Sequence, residues 1–134
     1  GGVADHVYSK ECLEQPDRLF VSPLVRREVS AVTGAFLAVT RQTFQAVGGF
    51  DERFRIAGDV AFCLSVSGID LSVIYDPGIK FTHHESKTRK AGLPGREVML
   101  VKDTLRGYGK TIDPLFHPQI SLKSTSPIPR FFKE

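Results

Sequence analysis

The 134-residue chain has no tryptophan, one methionine and two cysteines. Cys12 and Cys63 lie far apart, which excludes a zinc ribbon, a Cys-x-x-Cys redox motif and a disulfide framework. Cys63 falls in an apolar stretch, so we expect a buried, unreactive thiol. No apolar run approaches the ~20 residues of a membrane-spanning helix, and the N-terminus lacks the layout of a signal peptide. We therefore expect a cytoplasmic protein, with association at the inner face of the membrane left open.

The charge is mildly positive, at +3, with a pI near 9.0. Basic residues are spread along the chain and are compatible with a solvated surface. They are also compatible with phosphate groups on a sugar nucleotide, a lipid diphosphate, a membrane or a nucleic acid. Basic residues and aromatics do not alternate on one element, so we expect no nucleic-acid partner. Hydrophobic residues make up 41% of the chain, which is typical of a globular domain.

The chain divides into three parts. Residues 1–30 carry little periodicity and predict a mostly irregular linking segment. Residues 31–122 contain the regular patterns and predict one domain. Residues 123–134, with Pro127 and Pro129, predict an extended tail.

The local patterns predict alternating strands and helices. A nearly all-apolar run at 31–39 predicts a strand buried on both faces. Thr40 is a good N-cap for a helix over 41–47 that stops at Gly48, and a second helix is predicted over 59–67, ended by Gly68. Segments 71–75 and 79–82 predict short strands, and the spacing of apolar residues after Pro94 predicts an amphipathic helix. The predicted fold class is α/β, with a small mixed sheet flanked by helices.

Asp59 is the first residue that could carry chemistry. It falls in the first turn of a predicted helix, where the helix dipole favours an ionised carboxylate. Such a carboxylate can accept the proton of a hydroxyl nucleophile. From its spacing alone, a residue that merely caps the helix is the favoured interpretation.

A second group of polar residues follows the predicted strand at 79–82. His83 and His84 would point to opposite sides of an extended chain, so at most one should enter a given site. Thr88 and Arg89 could bind a diphosphate, because arginine presents a fixed fork of donors to phosphate oxygens. A pair of surface histidines followed by a solvated basic loop is the alternative interpretation.

Four blocks of sequence together resemble the family 2 glycosyltransferases of the GT-A fold. The first two are VTGAFLAV (32–39), continued by Phe44 and VGGFDE (47–52), and GDVAFCL (58–64). The family has "VTGAxLxVRRxxFxxVGGFDE" and "EDVDLCLR" at the corresponding places. The last two are HHESKTR (83–89), similar to "HHESxSR", and DPLFHPQISL (113–122), similar to the "DPYYNPNLSL" of O-antigen and rhamnan-type members. Their order and spacing agree over residues 30–122.

The resemblance implies the latter, acceptor-side part of a GT-A fold. Its activity would be transfer of a sugar from a nucleotide diphosphate to a hydroxyl of a glycan acceptor. Asp59 matches the catalytic base, and Thr88 and Arg89 match the segment that closes over the donor diphosphate. The site residues implied for acceptor binding are Thr33, Gly34, Gly49, Phe50 and Asp51. His83 and, less favoured, His84 match a position that contributes to a divalent metal site, for Mg²⁺ or Mn²⁺.

The chain also departs from the family pattern. Gly58, Ala61 and Ser65 replace residues that are usually acidic or amide, acidic, and arginine, respectively. The chain contains no Asp-x-Asp motif, which the family carries in its nucleotide-binding half. We therefore expect this chain to be inactive without that half and to bind no metal alone. A non-catalytic acceptor-binding or assembly module is the alternative. If the segment at 31–39 is a strand with unpaired edges, we also expect homo-oligomerisation.

Overall fold

The computed structural model describes residues 24–82, 95–109 and 112–120. In chain order the elements are β1 (Arg27–Glu28), α1 (Arg41–Ala46), α2 (Gly58–Ser67), β2 (Ile74–Tyr75) and α3 (Gly95–Gly107). Helices and a small sheet confirm the α/β class. None of the helices in these ranges is long and apolar enough to cross a bilayer.

The sheet consists of β1 and β2, paired antiparallel with Arg27 opposite Tyr75 and Glu28 opposite Ile74. The amide of Val29 donates to the carbonyl of Val73 at 2.9 Å and continues the pairing by one step. The expected mixed sheet is thus wrong for the part of the chain described, where the sheet has two antiparallel strands. The predicted strand at 71–75 is confirmed only over its last two residues.

The apolar run at 31–39 is not a strand, which corrects the prediction of a fully buried one. The backbone turns at Gly34 and Ala35, where the amide of Ala35 donates to Oγ1 of Thr33 at 3.3 Å. Ala31, Val32 and Leu37 instead pack as an irregular segment against the cluster that contains part of α2. The expected homo-oligomer was to form through an unpaired strand at 31–39, and the structure has no such strand. Self-association itself stays a prediction.

The segment at 79–82 is likewise irregular rather than a strand. A turn precedes it, in which Oδ1 of Asp76 accepts the amide of Gly78 at 2.9 Å. Ile79 and Phe81 are both about half exposed, with 53% and 47% of their surface accessible. These side chains gain little from burial, and no neighbouring strand pairs with them in the described residues.

The predicted helices are confirmed with small shifts at their ends. The Thr40 hydroxyl accepts the amide of Thr43 at 3.1 Å, which satisfies a donor in the first turn of α1. Gly48 follows α1 with φ of +81°, a conformation that favours glycine. Gly68 ends α2, as expected, and Gly107 is the last residue of α3.

Helix α2 forms the centre of the described structure. One of its faces packs on α3 in a cluster of buried residues: Phe54, Ala57, Ala61 and Val101. Another face packs against α1 and the segment at 29–37, in a cluster built on Phe62, Cys63, Val66 and Val73. Because two faces are covered, four consecutive residues of α2, from Ala61 to Leu64, are buried. The helix that carries Asp59 is held from both sides.

Candidate functional site

Asp59 lies in the first turn of α2 and is only partly buried. Its Oδ2 accepts the backbone amide of Gly34 at 2.7 Å, and its Oδ1 accepts the amide of Val60 at 2.8 Å. A carboxylate has about four lone-pair sites, so each oxygen can still accept one further hydrogen bond. The two amides fix the direction of the carboxylate and leave it able to accept a hydroxyl proton.

Gly34 is required here by close approach rather than by backbone conformation. The described glycines with positive φ are Gly48, Gly49 and Gly109, and Gly34 is not one of them. A Cβ added at Gly34 would lie 3.2 Å from Cβ and 3.3 Å from Oδ2 of Asp59. The absence of a side chain therefore lets the segment after Thr33 come within hydrogen-bonding distance of the carboxylate.

The turn at 49–51 is attached to α2 by aromatic contacts. The ring of Phe50 lies 4.9 Å from that of Phe62 on α2 and 5.7 Å from that of Phe44 on α1, between ring centroids. Half of the Phe50 surface stays accessible. Gly49, with φ of +76°, donates its amide to the carbonyl of Phe44 at 2.9 Å. The three aromatic rings hold this turn to the helix that carries Asp59.

Asp51 is engaged by Arg53. The Arg53 Nε lies 2.9 Å and 3.0 Å from the two carboxylate oxygens, and its backbone amide also donates to Oδ1. The side-chain hydrogen bond from Arg53 holds the pKa of Asp51 below its usual range, with help from that amide. A ligand at this position would meet an ion pair rather than an open carboxylate.

Glu97, which sequence reasoning missed, is the one buried charged residue of the described ranges, with 6% of its surface accessible. Its Oε1 accepts the amides of Arg55 at 3.1 Å, Ile56 at 2.6 Å and Ala57 at 2.8 Å. Burial raises the pKa of this carboxyl, but the three amide donors outweigh it, so the net pKa is lowered. A signal was available, because Glu97 lies four residues before Val101 and therefore on the apolar face of α3.

Cys63 is buried as expected, with 1% of its surface accessible. Burial raises the pKa of its thiol above the ordinary value. Since the thiolate is the reactive form, burial favours the unreactive thiol of Cys63.

The remaining predicted site residues, His83, His84, Thr88 and Arg89, lie outside the described residues. Within the described ranges no group of three or more His, Cys, Asp or Glu side chains could hold a metal ion. Asp59 in particular directs both oxygens to backbone amides. The donor set on the described side of the site does not by itself fit a divalent cation, and no chemical step is assigned to one.

A polar cavity of about 230 Å³ lies near the other end of α2. It is lined by Glu28, Ser30, Leu64, Ser67, Asp70, Leu71, Ser72 and Leu115. The Ser30 hydroxyl donates to Oδ1 of Asp113 at 2.6 Å, and the Ser72 hydroxyl donates to Oε1 of Glu28 at 2.9 Å. The first of these bonds attaches the start of the fourth sequence block to Ser30, which lies two positions before the first block.

Comparison with known proteins gives two relatives. Over 98 residues, or 71% of the chain, the sequence is 34% identical to the O-antigen biosynthesis protein RfbC of Myxococcus xanthus, of which the match covers 8%. Over 132 residues, or 92% of the chain, it is 31% identical to the uncharacterized protein y4gI of Sinorhizobium fredii, of which the match covers 14%. No protein-family profile matches the chain, and no solved structure matches it. The chain is thus similar to a short stretch of an O-antigen biosynthesis protein and spans only a small part of either relative's length.

Proposed function

We propose that this chain takes part in glycan biosynthesis as the acceptor-side portion of a family 2 glycosyltransferase of the GT-A fold. The observation that carries the proposal is the 2.7 Å hydrogen bond from the Gly34 amide to Asp59. It joins the first two of the four sequence blocks that resemble the family, and it fixes the carboxylate that the resemblance identifies as the base. The similarity to a protein named for O-antigen biosynthesis supports a role in glycan biosynthesis.

In the proposed reaction, Asp59 accepts the proton of an acceptor hydroxyl as that oxygen attacks the anomeric carbon of the donor sugar. The new glycosidic bond forms while the bond from the anomeric carbon to the diphosphate oxygen breaks. The electron pair leaves with the nucleoside diphosphate, and attack from the opposite side inverts the anomeric configuration. The amides of Gly34 and Val60 hold Asp59 in place, so little reorganisation is needed at the moment of proton transfer.

The acceptor would lie against the residues around Asp59. We assign Thr33 and Gly34 to one side of this surface and Gly49, Phe50 and Asp51 to the other. The half-exposed Phe50 ring offers an apolar face to a sugar ring, and the Asp51–Arg53 pair offers polar groups to its hydroxyls.

The donor diphosphate is assigned by resemblance to Thr88 and Arg89. His83, or less favourably His84, would contribute to a Mg²⁺ or Mn²⁺ site, completed by carboxylates from a nucleotide-binding half.

A second candidate function is a non-catalytic module that binds a glycan acceptor or a partner transferase. The observation in its favour is that both oxygens of Asp59 already accept backbone amides, as a purely structural carboxylate would. The replacements at Gly58, Ala61 and Ser65 point the same way.

The test is Asp59→Asn in the complete polypeptide that the gene encodes, assayed for release of nucleoside diphosphate with sugar-nucleotide donors and glycan acceptors. General-base catalysis predicts a loss of about 10²- to 10⁴-fold in turnover. Asp103→Asn is the matched control, because Asp103 is an exposed carboxylate on α3 whose ion pair within the described residues is with Arg106. Turnover unaffected by Asp59→Asn would reject the base assignment, and a complete polypeptide without transfer but with glycan binding would support the second candidate.

A further inference from the structure

Glu97 connects α3 to the backbone that leads into the candidate base. One of its oxygens accepts three consecutive amides, those of residues 55–57, at distances of 2.6 to 3.1 Å. Such convergence on a single atom of a buried side chain fixes the backbone more tightly than one capping bond would. The third of these amides belongs to Ala57, the N-cap of α2, and Asp59 follows two residues later.

The start of α2 depends on this contact because it has no side-chain cap of its own. Ala57 cannot accept a hydrogen bond through its side chain, and its methyl group is buried in the cluster with Phe54 and Val101. The amides that precede and begin a helix lack partners within the helix. Glu97 supplies an acceptor from a different element, which fixes where α2 begins and how its first turn is oriented.

We propose that Glu97 is a positioning residue, which sets the direction of the Asp59 carboxylate through the backbone of residues 55–57. The consequence for transfer rests on the proposed function, whereas the geometric link between the two carboxylates does not. Glu97 is itself buried against the backbone of residues 55–57. It therefore acts on the reaction through Asp59 and does not contact the substrate.

The alternative is that Glu97 only stabilises the packing of α3 on α2. Val101 provides the comparison, because it is buried in the same interface, against the same N-cap residue, and makes no hydrogen bond to the loop. Val101→Ala therefore weakens the packing and leaves the three amide bonds in place, whereas Glu97→Ala removes the amide bonds.

The experiment measures the Gly34 amide in this chain by NMR, through its proton chemical shift and its hydrogen-exchange protection. Both quantities report the hydrogen bond from Gly34 to Asp59 without any activity assay. We expect Glu97→Ala to lower Gly34 protection about tenfold and to move its amide resonance upfield, and Glu97→Gln to produce a smaller change in the same direction. Val101→Ala should leave the Gly34 resonance in place.

Equal changes in Glu97→Ala and Val101→Ala, or an unmoved Gly34 resonance in both Glu97 variants, would overturn the positioning role. If Glu97→Ala does not fold, Glu97→Gln compared with Val101→Ala decides the question by the same criterion. In the complete polypeptide, Glu97→Gln should lower kcat and leave the acceptor KM within about twofold. A shifted Gly34 resonance without any transferase activity would refute the proposed function and leave the positioning role intact.

Discussion

The backbone amide of Gly34 and the carboxylate of Asp59 lie 2.7 Å apart, although the two residues are 25 positions apart in the sequence. Gly34 belongs to an irregular apolar segment, and Asp59 belongs to the first turn of α2. The bond is charge-assisted, and bonds of this kind are about twice as strong as neutral ones. It therefore fixes the loop relative to the helix at the point where the proposed chemistry occurs.

The first prediction concerns Gly34→Ala. The added Cβ would lie 3.2 Å from Cβ of Asp59, so the loop or the carboxylate must move by a few tenths of an ångström. We expect a loss of about 1 kcal/mol in the free energy of unfolding, mostly from the weakened hydrogen bond. In the complete polypeptide we expect about tenfold lower turnover, because misplaced reacting groups are costly.

Gly107→Ala is the control for this change. An alanine Cβ at Gly107 would meet nothing within 4 Å, and the residue lies in α3, where alanine is favoured over glycine. Urea unfolding should show unchanged or increased stability for Gly107→Ala and decreased stability for Gly34→Ala. Equal stability in the two variants would mean that the contact with Asp59 is not tight.

The local features of the fold were predictable where a side chain signals its own conformation. Thr40 and Gly48 mark the two ends of α1 by capping chemistry that acts within one turn, and both were identified from the sequence. The same holds for Gly68 at the end of α2. The placement of Asp59 in the first turn of a helix was also predicted, because the predicted helix begins at that residue.

The sequence could not predict which apolar segments pair as strands. The run at 31–39 has the composition of a buried strand, but it covers α2 only in part: its backbone turns at Gly34, and Phe36 and Val39 stay 48% and 41% accessible. Composition cannot predict this outcome, since strand formation depends on a pairing partner elsewhere in the chain. The role of Glu97 was missed for a related reason, because its three partners lie 40 to 42 residues away.

The second prediction is a pH dependence of stability that arises from Glu97. Its pKa is lower in the folded protein than in the unfolded chain, where it is about 4.3. The unfolded chain therefore binds more protons between these two values, and stability falls as the pH drops through that window. The contribution of Glu97 is complete above about pH 5 and is lost as the pH falls through the folded pKa.

The measurement compares urea unfolding of the unmodified chain and Glu97→Gln at several pH values from 7 to 3. We expect Glu97→Gln to be about 1–2 kcal/mol less stable at pH 7, because a neutral acceptor replaces a charged one. The difference should shrink toward pH 3. Asp51 also has a lowered pKa, caused by Arg53, but it is present in both proteins and cancels. A difference that stays constant over the whole range would show that the charge of Glu97 makes no contribution.

The third prediction compares the contributions to stability of two rings, Phe62 and Phe50, that attach the turn at 49–51 to α2. Phe62 has 3% of its surface accessible, whereas Phe50 has 50% accessible. Phe62→Ala should cost about 3–5 kcal/mol, because it leaves a cavity among buried groups. Phe50→Ala should cost about 1 kcal/mol, since much of that ring already contacts water.

For glycan binding, a substitution at Phe50 should have a larger effect than one at Phe62. If Phe50 forms part of the acceptor surface, Phe50→Ala in the complete polypeptide should raise the acceptor KM severalfold, at a loss of only about 1 kcal/mol in stability. Phe62→Leu, which keeps most of the buried volume, should leave KM unchanged and is the matched control. An unchanged KM in Phe50→Ala would remove Phe50 from the acceptor surface.

The fourth prediction concerns Gly68 and Tyr108. A Cβ at Gly68 would lie 2.6 Å from Cε1 of Tyr108, so Gly68→Ala must displace the ring. The displaced ring would lose the hydrogen bond between its hydroxyl and the Ser65 hydroxyl, which measures 3.1 Å. We expect a loss of about 1–2 kcal/mol in the free energy of unfolding.

A double-mutant cycle tests whether the Tyr108 ring is the cause. The backbone of Gly68 has φ of −68°, which alanine adopts without strain, so in a Tyr108→Ala background Gly68→Ala should be neutral or slightly stabilising. The coupling free energy between the two positions should then be about 1–2 kcal/mol, as is usual for residues in direct contact. If the losses in free energy of unfolding are additive, the Gly68 substitution destabilises the end of α2 itself. The contact between Gly68 and Tyr108 would then not contribute to the loss.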